Sequence, residues 1–167
     1  VASPVVMLGL TALGAARGEP DDRVGRVLDD VIPVLEGVVY GELVVQAAKF
    51  SFGRQRPRVR AAGGGSGQDD NLSFFSGHTT LTVSLAVGAG LAANRRDSDL
   101  APVVWATGVS LTAVTGYLRI AADQHYATDV LTGAAWGVVA AVYIPRLTGA
   151  LPAGTTLVPQ PGAVALA

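Results

Sequence analysis

Three short stretches of this chain hold residue types that handle phosphate. In the first, Lys-Phe-Ser-Phe-Gly-Arg-Gln-Arg-Pro, Lys49 is followed by Arg56 and Pro57. Pro57 disfavours helical geometry at Arg56, so that side chain is expected to project from extended backbone. A guanidinium there binds phosphate oxygens in bidentate fashion, and Lys49 adds a point charge. Taken alone, this stretch fits a solvated basic loop better. The second stretch is Phe75-Ser76-Gly77-His78. At a helix start its backbone amides would point at an anion, Gly77 would permit close approach, and the Ser76 hydroxyl could donate to an oxygen. His78 could protonate a leaving group, or simply face solvent. The third is Arg119-Ile-Ala-Ala-Asp-Gln-His-Tyr-Ala-Thr-Asp. Its His125 and Asp129 stand at i and i+4, so in a helix the carboxylate could hold one imidazole nitrogen and leave the other free to attack phosphorus. An ordinary helix-face hydrogen bond is the competing reading.

The elements that would carry these residues are helices. Five apolar segments, at about 3–16, 24–52, 76–94, 100–118 and 126–147, are separated by Gly, Pro and charge, and none alternates with period two. The fold class is therefore all-α, a bundle of about five main helices. Gly53 is placed to cap the second helix and Ser76 to cap the third. Residues 54–72 form the one long loop, and loops of that length inside compact domains are often functional. In an up-down bundle the end of the second helix, the start of the third, the end of the fourth and the start of the fifth share one end. Lys49, His78, Arg119 and His125 occupy those four positions. Lys49 is the sole lysine, and His78 and His125 are the two histidines. Independent accident is a poor account of that convergence.

Composition sets the boundaries. At 167 residues the chain has room for one domain, expected over 1–150, with a Pro/Gly/Ala-rich and flexible tail over 151–167. A net charge of −1 leaves no global field for nucleic acid, so anion binding must be local. The absence of cysteine excludes thiolate catalysis, disulfides and cysteine-ligated zinc. Hydrophobic residues are 50% and charged residues 15%, and mean hydropathy is +0.42. Residues 71–94 and 100–118 are uncharged over lengths near the ~20 that a membrane span needs. Against this, both are rich in Ala, Gly, Thr and Val, and the second helix carries acidic residues, which are costly in lipid unless they face the bundle. Arg17, Arg23, Arg26, Arg95, Arg96 and Arg146 lie opposite the long loop, an excess consistent with a cytoplasmic side and an outward-facing site, although Glu19, Asp21, Asp22, Asp97 and Asp99 sit among them. The chain opens at Val1, with no charged stretch before residues 5–16, so these do not read as an intact signal peptide; an upstream helix or targeting segment is compatible with this start.

The three stretches together resemble the three-part signature of the type 2 phosphatidic acid phosphatase family. Lys49 with six residues before Arg56-Pro57, Ser76-Gly77-His78, and Arg119 with five residues before His125 and three more before Asp129 carry the likeness. It extends from the second helix through the fifth. Phe75 stands where that family has proline and Leu118 where serine is common, which bears on loop geometry more than on chemistry. The family is similar in fold and pocket to class A bacterial acid phosphatases and vanadium haloperoxidases.

The resemblance implies a metal-independent phosphatase acting on phosphate monoesters or diphosphates. Lys49, Arg56, Ser76, Gly77 and Arg119 would bind the phosphoryl oxygens. His125 would attack to form a phosphohistidine with Asp129 orienting it, and His78 would protonate the leaving group. No metal or cofactor is expected, and vanadate should bind as a mimic of the transition state. A site at one end of a membrane bundle would meet phosphorylated lipids; a periplasmic or secreted soluble bundle would meet small phosphoesters. No nucleic-acid partner is expected. A vanadate-dependent haloperoxidase and a silent anion-binding module stay open as alternatives.

Overall fold

A computed structural model describes residues 3–16, 23–65 and 67–151. Among them are five long helices, α1 (Ser3–Ala15), α2 (Arg23–Phe52), α4 (Gly77–Arg95), α5 (Ala101–Ala121) and α6 (Ala127–Leu147), and no strand. Apart from Leu151, the expected flexible tail lies outside the described residues, as does the turn containing Arg17.

The expected long loop is not structureless. It holds a short helix, α3 (Pro57–Ala61), and a 3-10 turn over Gln68–Asn71. Pro57 starts α3 because its fixed φ suits the first helical position and its missing N–H costs nothing there. The Asp70 carboxylate accepts the Gly67 amide at 2.8 Å, closing the 3-10 turn. The two arms of the segment are tied together by Arg56 N to Asp70 O at 2.8 Å and Ser73 N to Arg54 O at 2.9 Å.

α4 is the axis of the bundle, and it packs against α1, α2, α5 and α6. Small residues allow this. Thr80 and Ser84 on α4 donate to the carbonyls of Gly133 and Gly137 on α6 at 3.0 and 3.1 Å, one turn apart on each helix. A Cβ on Gly133 would stand 2.6 Å from the Ser76 carbonyl, so only glycine lets α6 come this close. Further along, Met7, Val34, Leu85, Ala86, Ala89 and Val104 form a buried apolar cluster linking α1, α2, α4 and α5.

The outer surface is of a different kind. α2, α5 and α6 are long and apolar enough to cross a membrane, and α4 is not among these spans. Leu28, Val39, Leu43, Val109, Val114 and Leu131 are exposed on the outer helices. Of the two adjacent acidic residues near the start of α2, Asp29 is exposed and Asp30 turns inward. It is buried and accepts from Arg95 at 3.2 Å and Arg96 at 2.5 Å. Arg96 also donates to the Arg26 carbonyl at 2.7 Å, which locks α2 to the end of α4 away from the histidines.

Candidate active site

The expected convergence is observed. Lys49 lies in the last turn of α2, His78 in the first turn of α4, Arg119 in the last turn of α5, and His125 just before α6. Gly53, at φ +55, ends α2 and donates to the Lys49 carbonyl at 3.1 Å, so the chain leaves the helix immediately beyond the lysine. Arg56 then sits in extended backbone, φ −68 and ψ 148, as its following proline requires.

The charges form one group. Lys49 is within electrostatic range of Arg56 and Arg119, and His78 within range of Arg119, Lys49 and His125. Arg56 is buried and held in place, with Nε donating to Asp69 O at 2.7 Å and Nη1 to Gln124 Oε1 at 2.9 Å. Arg119 Nε is buried with no hydrogen-bond partner among the described residues. A buried guanidinium donor is costly to leave unpaired, so this position calls for an anion.

His78 is exposed, unlike His125, and lies outside the three apolar spans. Burial of part of its ring, then the positive charges of Arg119 and Lys49, lower its pKa from the ordinary 6.5. The imidazolium is therefore disfavoured here, and an anion beside it would favour it again.

His125 is buried, and its Nδ1 lies 2.7 Å from the Ser73 carbonyl. A carbonyl can only accept, so Nδ1 carries the hydrogen and Nε2 is left with its lone pair. Asp129 does not make this bond. Its Oδ2 is 3.8 Å from Nδ1. The helical i, i+4 relation does not apply, because α6 begins at Ala127 with Tyr126 as its N-cap, and His125 precedes the cap. Asp129 is instead the N-terminal anchor of α6. Its Oδ2 accepts from the Tyr126 amide at 3.0 Å and the Ser73 hydroxyl at 2.6 Å, and its Oδ1 from Arg54 at 2.6 Å. Asp129 thus faces His125 across 3.8 Å and is also linked to it through Ser73.

Ser76 and Gly77 occupy the start of α4, with two departures from expectation. Ser76 has N-cap backbone angles but makes no side-chain cap; its fully buried hydroxyl accepts from Thr79 Oγ1 at 2.9 Å. Its amide donates to the Asp129 carbonyl at 3.1 Å, tying the α4 and α6 starts together. Gly77 makes room for protein. A Cβ there would stand 2.9 Å from Glu42 Oε2, 3.3 Å from Val45 and 3.6 Å from Lys49 Nζ.

Sequence reasoning missed Arg54 and Ser73. Arg54 pairs with Asp129, donates to Thr128 Oγ1 at 2.9 Å and lies 4.1 Å over the Tyr126 ring. It was legible only as one more cation in an arginine-rich loop. Ser73 carried no signal, since its decisive group is a backbone carbonyl.

The fold is an all-α bundle that gathers Lys49, Arg56, Arg119 and the two histidines at one end. The sequence profile of the PAP2 superfamily matches residues 30–152, and the chain belongs to that superfamily. It is 35% identical over 96 residues to a lipid A 1-phosphatase of Porphyromonas gingivalis; the match covers 58% of this chain and 19% of that protein. The chain thus spans about a fifth of that relative's length. No solved structure matches it.

Proposed function

We propose that the protein is a metal-independent phosphatase that removes phosphate from phosphorylated lipids through a phosphohistidine on His125. The observation that carries this reading is the 2.7 Å contact between His125 Nδ1 and the Ser73 carbonyl, which leaves Nε2 with its lone pair, while His78 lies within electrostatic range of His125, Lys49 and Arg119. Nε2 attacks phosphorus as the bond to the leaving oxygen breaks, and His78 gives that oxygen a proton. His78 then takes a proton from water, whose oxygen displaces His125 and frees phosphate. Lys49, Arg56 and Arg119, with the Gly77 amide and Ser76, neutralise the equatorial oxygens.

Lipid as the substrate class is supported by the surroundings of the site. Phe50 and Phe52 flank Lys49 on α2, Tyr117, Leu118 and Ile120 flank Arg119 on α5, and all are exposed. Aromatic and aliphatic side chains beside a cationic pocket suit the boundary between headgroup and acyl chain. The similarity to a lipid A 1-phosphatase points the same way. With the arginines of the opposite end on the cytoplasmic face, the site would open outward.

Phosphate release should be measured across phosphatidate, prenyl diphosphate, lipid A and small soluble phosphomonoesters, with wild type and His125→Ala. Release from lipid esters by wild type alone is expected. Equal release by His125→Ala would sink the nucleophile assignment, and a preference for soluble esters would sink the lipid one.

A further inference from the structure

Glu42 has no part in the chemistry described above, yet it reaches the back of the site. It lies on α2 seven residues before Lys49, two turns away on the same face. Its Oε2 and the Lys49 Nζ stand 2.9 and 3.6 Å from the point where a Gly77 Cβ would be, so both crowd the first residue of α4. Its Oε1 is buried and has no hydrogen-bond partner among the described residues. The neighbouring backbone is pinned, since Trp136 Nε1 donates to the Gly41 carbonyl at 3.1 Å and Gly41 packs against Ala140 Cβ.

We propose that Glu42 is a positioning residue that acts through Lys49, holding its ammonium at the start of α4 against repulsion from Arg56 and Arg119. Among the charges that act on Lys49, that of Glu42 is the largest; Arg56 and Arg119 oppose it, and Asp69 contributes least. Lys49, Arg56 and Arg119 lie within electrostatic range of one another and repel. A carboxylate fixed behind Gly77 supplies the balancing charge and keeps Lys49 where an arriving phosphoryl oxygen needs it. Gly77 then has a second reason to be glycine, because a side chain would push this carboxylate aside.

The proposal rests on the phosphatase reading only for its purpose; the test needs no turnover. Orthovanadate binding to the full chain in detergent micelles should be measured by calorimetry for wild type, Glu42→Gln, Lys49→Gln and the double variant. Glu42→Gln, which keeps shape and loses charge, should bind about tenfold more weakly, as close coupled charges do. Glu42→Asp should recover part of that loss. In the Lys49→Gln background Glu42→Gln should have no further effect. Should Glu42→Gln not fold, Glu42→Asp carries the test, with a smaller loss and the same dependence on Lys49 expected. Wild-type affinity in Glu42→Gln, or an equal loss whether or not Lys49 is present, overturns the proposal. A wild type that binds vanadate without releasing phosphate sinks the catalytic reading alone.

Discussion

Arg54 and Asp129 meet at 2.6 Å across 75 positions of sequence, joining the segment after α2 to the first turn of α6. Asp129 is fully buried and Arg54 partly exposed, so the pair sits at the edge of the site. The same carboxylate holds the Ser73 hydroxyl, and the Ser73 carbonyl holds His125. A surface-reaching arginine is in this way connected to His125 without touching it.

Arg54→Ala should therefore lower kcat by about tenfold or more while leaving KM closer to wild type, because the loss falls on alignment of His125. Arg54→Lys should recover only part, since a lysine cannot serve Asp129 and Thr128 with one planar group. Steady-state kinetics on a lipid phosphomonoester would check this; a loss confined to KM would count against it.

Replacement of His125 by alanine should abolish turnover, while EDTA treatment of wild type leaves the rate unchanged. Rapid quench of wild type with labelled substrate should trap an acid-labile, base-stable phosphoryl-protein absent from His125→Ala. Inhibition by EDTA that added divalent metal reverses would overturn the metal-independent scheme.

The pH dependence follows from His78. Its pKa is lowered by burial and by Arg119 and Lys49, so with no anion bound the acid form gives way at a pH below that of an ordinary imidazole. The kcat/KM profile should fall as pH rises through that lowered pKa, giving an acidic optimum. The kcat profile should fall at higher pH, because bound phosphate stabilises the imidazolium. For folding the sign is opposite: the unfolded chain binds this proton more readily, so His78 contributes a loss of stability as pH falls. His78→Asn should remove the alkaline limb and lower the rate by roughly a hundredfold.

At the far end of the bundle, Asp30→Ala would leave Arg95 and Arg96 without their carboxylate. A loss of about 2–3 kcal/mol is expected, below that for a fully buried pair because both arginines keep some solvent contact. Thermal unfolding in detergent should show the shift, with vanadate affinity unchanged at temperatures where the variant is folded.

Much of this was legible in the residues alone. Helical periodicity, the proline after Arg56 and the glycine after Phe52 are local constraints on φ and ψ, so the helices and the extended backbone at Arg56 follow from them. The shared end for Lys49, His78, Arg119 and His125 follows from counting helices. Neighbouring residues can also mislead, as at His125 and Asp129: their spacing suggests a helix-face pair, but the helix starts after the histidine. Only the tertiary structure decided what each polar group contacts. The partner of His125 is a carbonyl 52 positions away, the partner of Asp129 is an arginine 75 away, and Gly77 faces Glu42. Such contacts depend on how closely small residues let α2, α4 and α6 approach, and backbone carbonyls have no letter in the sequence. Residue types and spacing therefore determined the chemistry available, and packing determined which atoms hold His125.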